Sequence, residues 1–388
     1  MLIHLDTFSE TDTYGSDVCT LIRNNGDVMI AMGRKPLVNV EGQQWSDVYL
    51  FEWNKEQENL EYKGEFDTGF TYGDWESPTT ANAVYIWEDD NNDLILLVGH
   101  PFGMHIARWN GGDSWTVLAS RTYAMVGNIT VRDIGLIEEG SNKYICVATD
   151  VQPWAEIFLW NGSTLATQRA IDDWNHLSIV STTAWRSNSN NDIWVQLRRD
   201  LCVYDGSEYV RTNHILYSTD LTYSSAVMDS TSWWHGVGNR YIALAGTATE
   251  RRVDLFSFDE NEVLERAIYN PGNAAYAIHS FELDGERILA VGLQDHTKER
   301  LQLLRVFDNG LIYIEGDDVP NPLGNTTNRV YAIGSWEIDF ETRGLLVCQR
   351  HSMEVFAWKD IPYSLVLVAG QEGSDIKLTH TYENGEEE

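Results

Sequence analysis

Residues 93–111 read DLILLVGHPFGMHIARWNG and contain two alternating apolar stretches, the second of which ends in an aromatic residue followed by Asn-Gly. Alternation with a period of two predicts β-strands, and Asn-Gly between such runs is a strong turn signal. A comparable ending recurs six more times along the chain, as YLFEWN, IFLWNG, LCVYDG, LFSFDEN, LRVFDNG and VFAWKD. The chain therefore contains seven copies of one strand-and-turn unit.

The aromatic residue of each copy shows how long the repeat is. Neighbouring aromatics are 44 to 56 residues apart, with a mean of about 51. They are Trp53, Trp109, Trp160, Tyr204, Phe258, Phe307 and Trp358. Two apolar strands precede each aromatic strand and a fourth strand follows its turn, so the sequence predicts an all-β fold, a seven-bladed β-propeller with four antiparallel strands per blade. We expect the repeated aromatics to pack between adjacent blades, because a lone four-stranded sheet cannot bury both of its faces.

The repeat predicts one propeller domain over residues 1–382. Its blades are predicted at residues 16–68, 80–124, 128–173, 178–218, 224–270, 273–318 and 328–370. Two segments compete to close the ring, because either residues 1–10 or residues 363–382 could supply the outer strand of the last blade and cover its edge. Residues 383–388, ENGEEE, are predicted to form a disordered acidic tail.

The charge of the chain restricts its partners. Asp and Glu total 59 against 27 basic residues, which gives a net charge of −32, and only seven of the basic residues are Lys. A field of this sign repels phosphate backbones and anionic lipid surfaces, so we expect no nucleic-acid or membrane-surface role. An acidic excess with few lysines is typical of proteins from halophiles, and we expect adaptation to high salt, with an ordinary acidic protein of a mesophile as the alternative.

Cysteine spacing and hydropathy point to a reduced chain that does not insert into a membrane. Cys19, Cys146, Cys202 and Cys348 lie far apart in apolar runs, which predicts buried free thiols. The first residues show no signal-peptide pattern, and no run of 18 apolar residues occurs. We therefore expect a protein that is made and remains in the cytoplasm, or leaves it by another route.

Residues 88–111, EDDNNDLILLVGHPFGMHIARWNG, resemble the FG-GAP repeat found in integrin heads and other extracellular propellers. In that family an Asp/Asn-rich turn leads into a DL-apolar strand ending in Gly, and the turn often holds Ca²⁺. The resemblance implies Asp89, Asn91 and Asp93 as candidate Ca²⁺ ligands, since alternating oxygen ligands suit that ion. It covers one blade well and the rest only weakly, and a plain solvated turn is the alternative interpretation. Apart from Ca²⁺, no cofactor is predicted.

Catalytic motifs are missing from the sequence. Its ten His form no HExxH pair, and neither GxSxG nor a Gly-rich phosphate loop occurs. We therefore predict that the protein is not an enzyme. A polysaccharide hydrolase or lyase stays as an alternative, because the distance between two carboxylates cannot be read from a sequence with 59 acids.

One end of the ring is predicted to be the binding face. The residue seven positions on from the start of each second strand is polar, and these residues are Arg34, His100, Asp150, Arg199, Thr247, Gln294 and His351. Long insertions on the same side add Tyr72, Trp75 and Trp174, whose aromatic rings suit sugar or protein contacts. Solvated loop starts are the alternative interpretation. The first strands add Asp133, Asp229 and His279 as candidates that line the central channel.

A propeller without catalytic motifs, export signal or anchor predicts a non-enzymatic binding or assembly module. The favoured function is a virion structural or host-attachment protein, a tail, fibre or spike part assembled in the host cytoplasm and adapted to high salt. Its partners would be other virion or scaffold proteins, or a receptor on the cell surface. A glycan-binding, lectin-like propeller is the main alternative, and a cytoplasmic scaffold is another. The fold cannot choose among these functions.

Overall fold

The structure is a computed structural model in which every described strand belongs to a β-sheet and no helix occurs among the described residues. It describes residues 2–36, 47–69, 81–123, 130–150, 154–171, 181–187, 192–206, 209–216, 227–235, 238–246, 251–294, 300–308, 310–317, 329–339, 342–359, 364–368 and 377–381. Seven blades of four antiparallel strands form a β-propeller, as the sequence predicts.

Twenty-eight strands are described. In chain order they are β1 (Leu2–Ile22), β2 (Val28–Pro36), β3 (Val48–Asn54), β4 (Asn59–Phe66), β5 (Ala83–Glu88), β6 (Leu94–His100), β7 (Gly103–Trp109), β8 (Trp115–Thr122), β9 (Val131–Glu139), β10 (Asn142–Thr149), β11 (Ala155–Trp160), β12 (Leu165–Ile171), β13 (Thr182–Arg186), β14 (Ile193–Leu197), β15 (Asp200–Tyr204), β16 (Tyr209–Ile215), β17 (Val227–His235), β18 (Asn239–Gly246), β19 (Val253–Phe258), β20 (Val263–Tyr269), β21 (Ala275–Leu283), β22 (Glu286–Leu293), β23 (Leu301–Phe307), β24 (Gly310–Asp317), β25 (Val330–Asp339), β26 (Thr342–Lys359), β27 (Ser364–Val368) and β28 (Lys377–Thr381).

Burial along each blade follows from its place in the ring. Every residue of the second strand β6 is buried, because both faces of that strand contact neighbouring blades, whereas the fourth strand β8 is half-buried or exposed along its length. The first strands contact one another around the ring and line its centre. We call the end of the disc with the turns between first and second strands the hairpin face, and the opposite end the loop face.

Seven apolar clusters hold the described parts of the blades together, one at each junction between neighbouring blades. Most of the repeated aromatics belong to them. Trp53 packs on Trp336 of the last blade with ring centroids 5.3 Å apart, and Trp358 packs edge-on against Phe281 at 5.8 Å. The expectation is wrong for Phe307, which is 43% exposed at the hairpin face.

The N-terminal segment completes the last blade. Residues 2–9 of β1 pair antiparallel with residues 352–358 of β26, and residues 13–22 of the same strand pair with β2 of the first blade. β27 and β28, which lie in the competing segment, pair with each other in a separate two-stranded sheet. Of the two candidate closing segments, the N-terminal one, through residues 2–9, is the one that pairs with the last blade.

The four cysteines form no disulfide. Cys146, Cys202 and Cys348 are buried and Cys19 is half-buried, and burial raises the pKa of the Cys146 thiol to about 12. These thiols therefore fill space between strands as small apolar groups. No helix capable of crossing a membrane was found in the described segments.

Candidate functional site

Two of the residues predicted for the loop face, Arg34 and His100, are buried near the ends of their strands. The Arg34 guanidinium lies over the Tyr49 ring, 3.7 Å from its centroid. The His100 ring stacks on His105 with centroids 5.0 Å apart, and its Nδ1 accepts a hydrogen bond from the Phe102 N–H at 3.2 Å. Because their own blades enclose them, these two side chains stabilise the strand ends from inside.

Three further predicted residues, Asp150, Arg199 and Gln294, lie at the corresponding positions of other blades and are half-buried. Asp150 forms an ion pair with Arg132 at 2.8 Å. Arg199 lies 3.8 Å from Asp254 of the next blade. The backbone of Gln294 bonds to the start of its own blade. The structure therefore places these residues on one end of the disc, but in separate local contacts and not in one shared site.

The remaining loop-face candidates fall wholly or partly outside the described residues. Tyr72, Trp75, Trp174 and Thr247 lie outside them, and of His351 only the backbone, within β26, is described. The glycan-binding hypothesis depends on these aromatic rings and stays a prediction.

The candidate Ca²⁺ ligands lie in the turn between β5 and β6. The Asp89 Oδ1 atom accepts hydrogen bonds from the backbone N–H groups of Asn91 and Asp93, each at 2.9 Å. The Asp93 carboxylate lies 3.4 Å from Arg108. These bonds shape the turn without an ion, and within the described ranges no three His, Cys, Asp or Glu side chains converge on a metal position. Ca²⁺ at this turn stays a prediction.

A cavity of about 350 Å³ occupies the centre of the ring between the first strands. Asp133, Asp229 and His279, which the sequence suggested for the channel, line it together with Asp17. Burial raises the pKa of Asp229 to about 7, and burial with the negative charge of Asp17 and Asp229 raises the pKa of Asp133. Burial lowers the pKa of His279 to about 4. The cavity therefore favours the uncharged forms of Asp133, Asp229 and His279.

Each cavity aspartate links two neighbouring blades, and we call these contacts the aspartate bridges. One carboxylate oxygen accepts the N–H of the following residue, and the other accepts a backbone N–H from the next blade. The inter-blade bonds are Asp17 to Val84 at 2.7 Å, Asp133 to Thr182 at 2.6 Å and Asp229 to Ile278 at 2.8 Å. All three aspartates directly follow a β-bulge of the first strand. Because both oxygens accept backbone bonds, each carboxylate connects two neighbouring blades.

Polar contacts of other types connect the remaining blades around the cavity. They are Asn82 to the Val131 carbonyl at 2.7 Å, Thr183 with Ser232 at 2.7 Å, His279 with Ser335 at 2.9 Å and Thr20 to the Ser335 carbonyl at 2.5 Å. With the aspartate bridges, every junction between neighbouring blades carries such a bond. The centre of the ring is therefore a polar structural element.

Two grooves on the hairpin face combine tryptophan and arginine, and we call them the Trp–Arg grooves. The first has a volume of about 520 Å³, lies across blades 3, 4 and 5, and contains Trp185, Trp234 and Arg240. The second has a volume of about 330 Å³, lies between blades 5 and 6, and contains Trp234, Arg287 and the exposed Phe307. Because Trp234 lines both, the grooves form one continuous surface.

Cation–aromatic contacts organise this surface. The Arg240 guanidinium lies 5.4 Å from the Trp185 ring and 5.3 Å from the Trp234 ring, and Arg287 lies 5.7 Å from Trp233. Burial, together with the positive charge of Arg287, lowers the pKa of Arg240 to about 10. Arg240 nevertheless stays charged at neutral pH, since a pKa of about 10 is well above it. The grooves thus place the half-buried Trp234 ring beside a fixed positive charge. Glu138 and Glu139 also line the first groove, where they pair with Lys143 and Arg186.

Sequence reasoning did not select the Trp–Arg grooves. The unusual dipeptide Trp233-Trp234 is visible in the sequence, as is the aspartate Asp17 before the first repeated strand. Neither feature indicates a site unless the pairing of the strands is known, because aromatic and acidic residues are common throughout this chain.

No protein-family model matches the chain, and no curated protein matches it. Solved structures do share its fold. Raptor from Chaetomium thermophilum superposes with a TM-score of 0.59 at 11% identity, over 92% of this chain but only 29% of the Raptor chain. A chain of the mitotic checkpoint complex gives 0.56 at 11% identity, over 93% of this chain and 94% of that chain. A protein of unknown function from Dyadobacter fermentans DSM 18053 gives 0.51 at 10% identity, over 92% and 99%. At this identity the likeness shows the fold alone, that of a β-propeller.

Proposed function

We propose that the protein is a non-enzymatic scaffold that binds other proteins through the Trp–Arg grooves. The main support is the composition of this surface, which brings together Trp234, Arg240, Arg287 and the exposed Phe307. Tryptophan and arginine are, with tyrosine, the residues most enriched at the energetic centres of protein interfaces.

The architecture supports this role. Apolar clusters and polar bonds join every pair of neighbouring blades, so the face is held as a rigid platform. Rigid surfaces bind partners with little loss of conformational entropy. One similar solved structure is that of a checkpoint complex, which fits a part in a protein assembly.

A narrower proposal concerns the assembly itself. A virion tail, fibre or spike of a virus that infects a halophile would account for a net charge of −32, and the charge is its only support. Glycan binding through Trp75 and Trp174 is the alternative, and loss of saccharide binding on Trp75→Ala or Trp174→Ala would favour it. A polysaccharide hydrolase or lyase would require a carboxylate substitution that abolishes turnover without unfolding the ring.

Site-specific photo-crosslinking tests the scaffold proposal. p-Benzoylphenylalanine replaces Phe307 at the groove or, as a control, Val117, which is 51% exposed on the outer strand of blade 2. Irradiation in extracts of the producing cells should give a discrete adduct with one protein from position 307 and none from position 117. Equal labelling from both positions, or none from position 307, would overturn the proposal.

A further inference from the structure

Cross-strand charge pairs recur at the hairpin face, where the first strand ends and the second begins. In three blades a cation on the second strand lies directly opposite a glutamate on the first. These pairs are Lys143 with Glu138 at 3.9 Å, Arg287 with Glu282 at 2.9 Å and Arg343 with Glu337 at 3.1 Å. Opposite charges facing each other across strands stabilise a sheet.

Blade 5 departs from this pattern at one position. Its cation, Arg240, lies directly opposite Trp234, which takes the place of the glutamate. The Arg240 Nη2 atom donates to the carbonyl and hydroxyl oxygens of Ser232, at 3.2 and 2.8 Å. Its buried Nε–H has no acceptor, and no carboxylate of the described chain forms an ion pair with it. The cation is held in place but lacks a counter-ion.

The missing counter-ion is a local property of blade 5. The chain has 59 acidic residues, and the neighbouring arginines of the hairpin face do have partners, as Arg186 with Glu139 and Arg305 with Glu286 show. Partial burial removes water from the Arg240 guanidinium, which costs free energy, and no carboxylate compensates for that cost. A ligand that supplies a carboxylate would recover that loss.

We propose that the groove at Arg240 is a docking site for an aspartate or glutamate side chain carried on an extended segment of a partner protein. The inference rests on the proposed scaffold function and names the chemistry of its partner. The carboxylate would accept from Arg240, as glutamate accepts from a cation in three other blades, while apolar neighbours in the segment contact the half-buried ring of Trp234.

The charge of the whole chain favours a single carboxylate over a polyanion. A nucleic acid brings a row of phosphates toward a protein of net charge −32, and most of them would lie beyond reach of Arg240. One carboxylate needs only the one guanidinium, with which it forms a charge-assisted hydrogen bond. Salt screens the repulsion between the ligand and distant acidic residues, but it screens the partly buried contact with Arg240 much less.

A phage-displayed library of terminally blocked peptides, selected on the full chain, supplies the probe. We expect the selected peptides to share one Asp or Glu, and exchange of that residue for Asn or Gln to weaken binding about tenfold or more, which is about 1.4 kcal/mol. Arg240→Gln should abolish the preference for the acidic residue. Arg343→Gln, at the matching position of blade 7, should leave binding unchanged, and thermal melts verify that each variant is folded.

A pair of substitutions at position 234 separates charge from ring loss. Trp234→Glu supplies the cross-strand carboxylate found in three other blades and should block the site from within, whereas Trp234→Gln removes the ring without adding charge and should retain weak, acid-dependent binding. Peptides that tolerate Glu→Gln, or that bind the Arg240→Gln protein equally well, would overturn the inference while leaving the scaffold function intact. Absence of any selected peptide would also count against this site, and the crosslinking at position 307 would then decide the scaffold function separately.

Discussion

Asp133 of blade 3 accepts a hydrogen bond from the backbone N–H of Thr182 in blade 4 at 2.6 Å, and its second oxygen accepts from the N–H of Ile134 at 2.7 Å. One side chain thus shapes its own strand after a bulge and joins it to the next blade. Equivalent aspartates repeat the arrangement in blades 1 and 5, so the linkage joins blades 1 to 2, 3 to 4 and 5 to 6.

Replacing Asp133 by alanine should lower the free energy of unfolding. Two backbone N–H groups beside the cavity lose their acceptors, and a buried donor left without one costs about 1–3 kcal/mol. Urea denaturation followed by tryptophan fluorescence measures the change. Asp90→Ala is the control, because Asp90 is exposed in the turn after β5 and substitution there should change stability by no more than about 0.5 kcal/mol. Equal effects of the two substitutions would contradict a role for the bridge.

Asp229 should bind a proton near neutral pH, since burial raises its pKa to about 7. Between about pH 4 and that value the folded chain holds a proton that the unfolded chain has lost, so the contribution of this group to unfolding free energy falls as pH rises through this window. Asp229→Asn should remove that part of the pH dependence. Unfolding of both proteins at several pH values gives the difference, and parallel curves would show that Asp229 does not titrate there.

His100 and His105 should make the protein sensitive to acid. Burial, with the second ring beside it, lowers the pKa of His100 to about 3. The unfolded chain binds a proton at this imidazole near pH 6.5, whereas the folded chain does not. The free energy of unfolding therefore decreases as pH falls from about 6.5 toward 3. His100→Asn keeps an acceptor for the Phe102 N–H and should flatten the acid limb of the stability curve. Carbon NMR of the ring provides an independent titration, and a midpoint near 6.5 would disprove the prediction.

Removing residues 2–9 should open the ring. The deletion exposes the edge of β26 over residues 352–358 and leaves the last blade without its fourth strand. Unpaired strand edges invite pairing between molecules, so we expect a lower melting temperature and concentration-dependent aggregation. A chain that ends at residue 382, which is six residues shorter than the full chain, is the control. Light scattering during a thermal ramp compares the two, and a truncated protein as stable as the control would contradict closure by this strand.

Salt should stabilise the fold. A net charge of −32 repels itself, and the Debye length falls from about 10 Å at 0.1 M to about 3 Å at 1 M salt. We expect the melting temperature to rise over this range of sodium chloride concentration. Sucrose at equal osmolality controls for effects that do not depend on charge. A melting temperature that falls or stays constant with salt would count against adaptation of this surface to high ionic strength.

The fold could be predicted because each blade repeats the same sequence pattern, in which an alternating strand ends in an aromatic residue and a turn. Spacings of 44 to 56 residues between aromatics persist although individual strands such as β13 are short. Choosing the closing strand was a different problem, because residues 1–10 and 363–382 both alternate and local pattern cannot show which one reaches β26. That choice depends on pairing between residues about 350 positions apart.

The Trp–Arg grooves could not be predicted from the sequence, because they depend on the register of the paired strands and sequence patterns specify that register poorly. Glu138, Glu282 and Glu337 precede their cations by five or six residues, and so does Trp234. Only the alignment of strands shows that Trp234 occupies a glutamate position opposite Arg240. The role of Asp17 could not be predicted for the same reason. It matches Asp133 and Asp229 only in following a β-bulge, and a bulge is visible only in the strand pairing.

The pairing of Leu2 with Trp358 sets an order of events during synthesis. At about 5–20 residues per second, a ribosome needs roughly 20–70 s between making these two residues. Throughout that time six blades can stack, but the first strand segment has no partner and the growing arc has two open ends. A nascent chain of this protein therefore depends on keeping residues 2–9 unpaired until the last blade emerges, and a factor that shields this segment would raise the yield of closed rings.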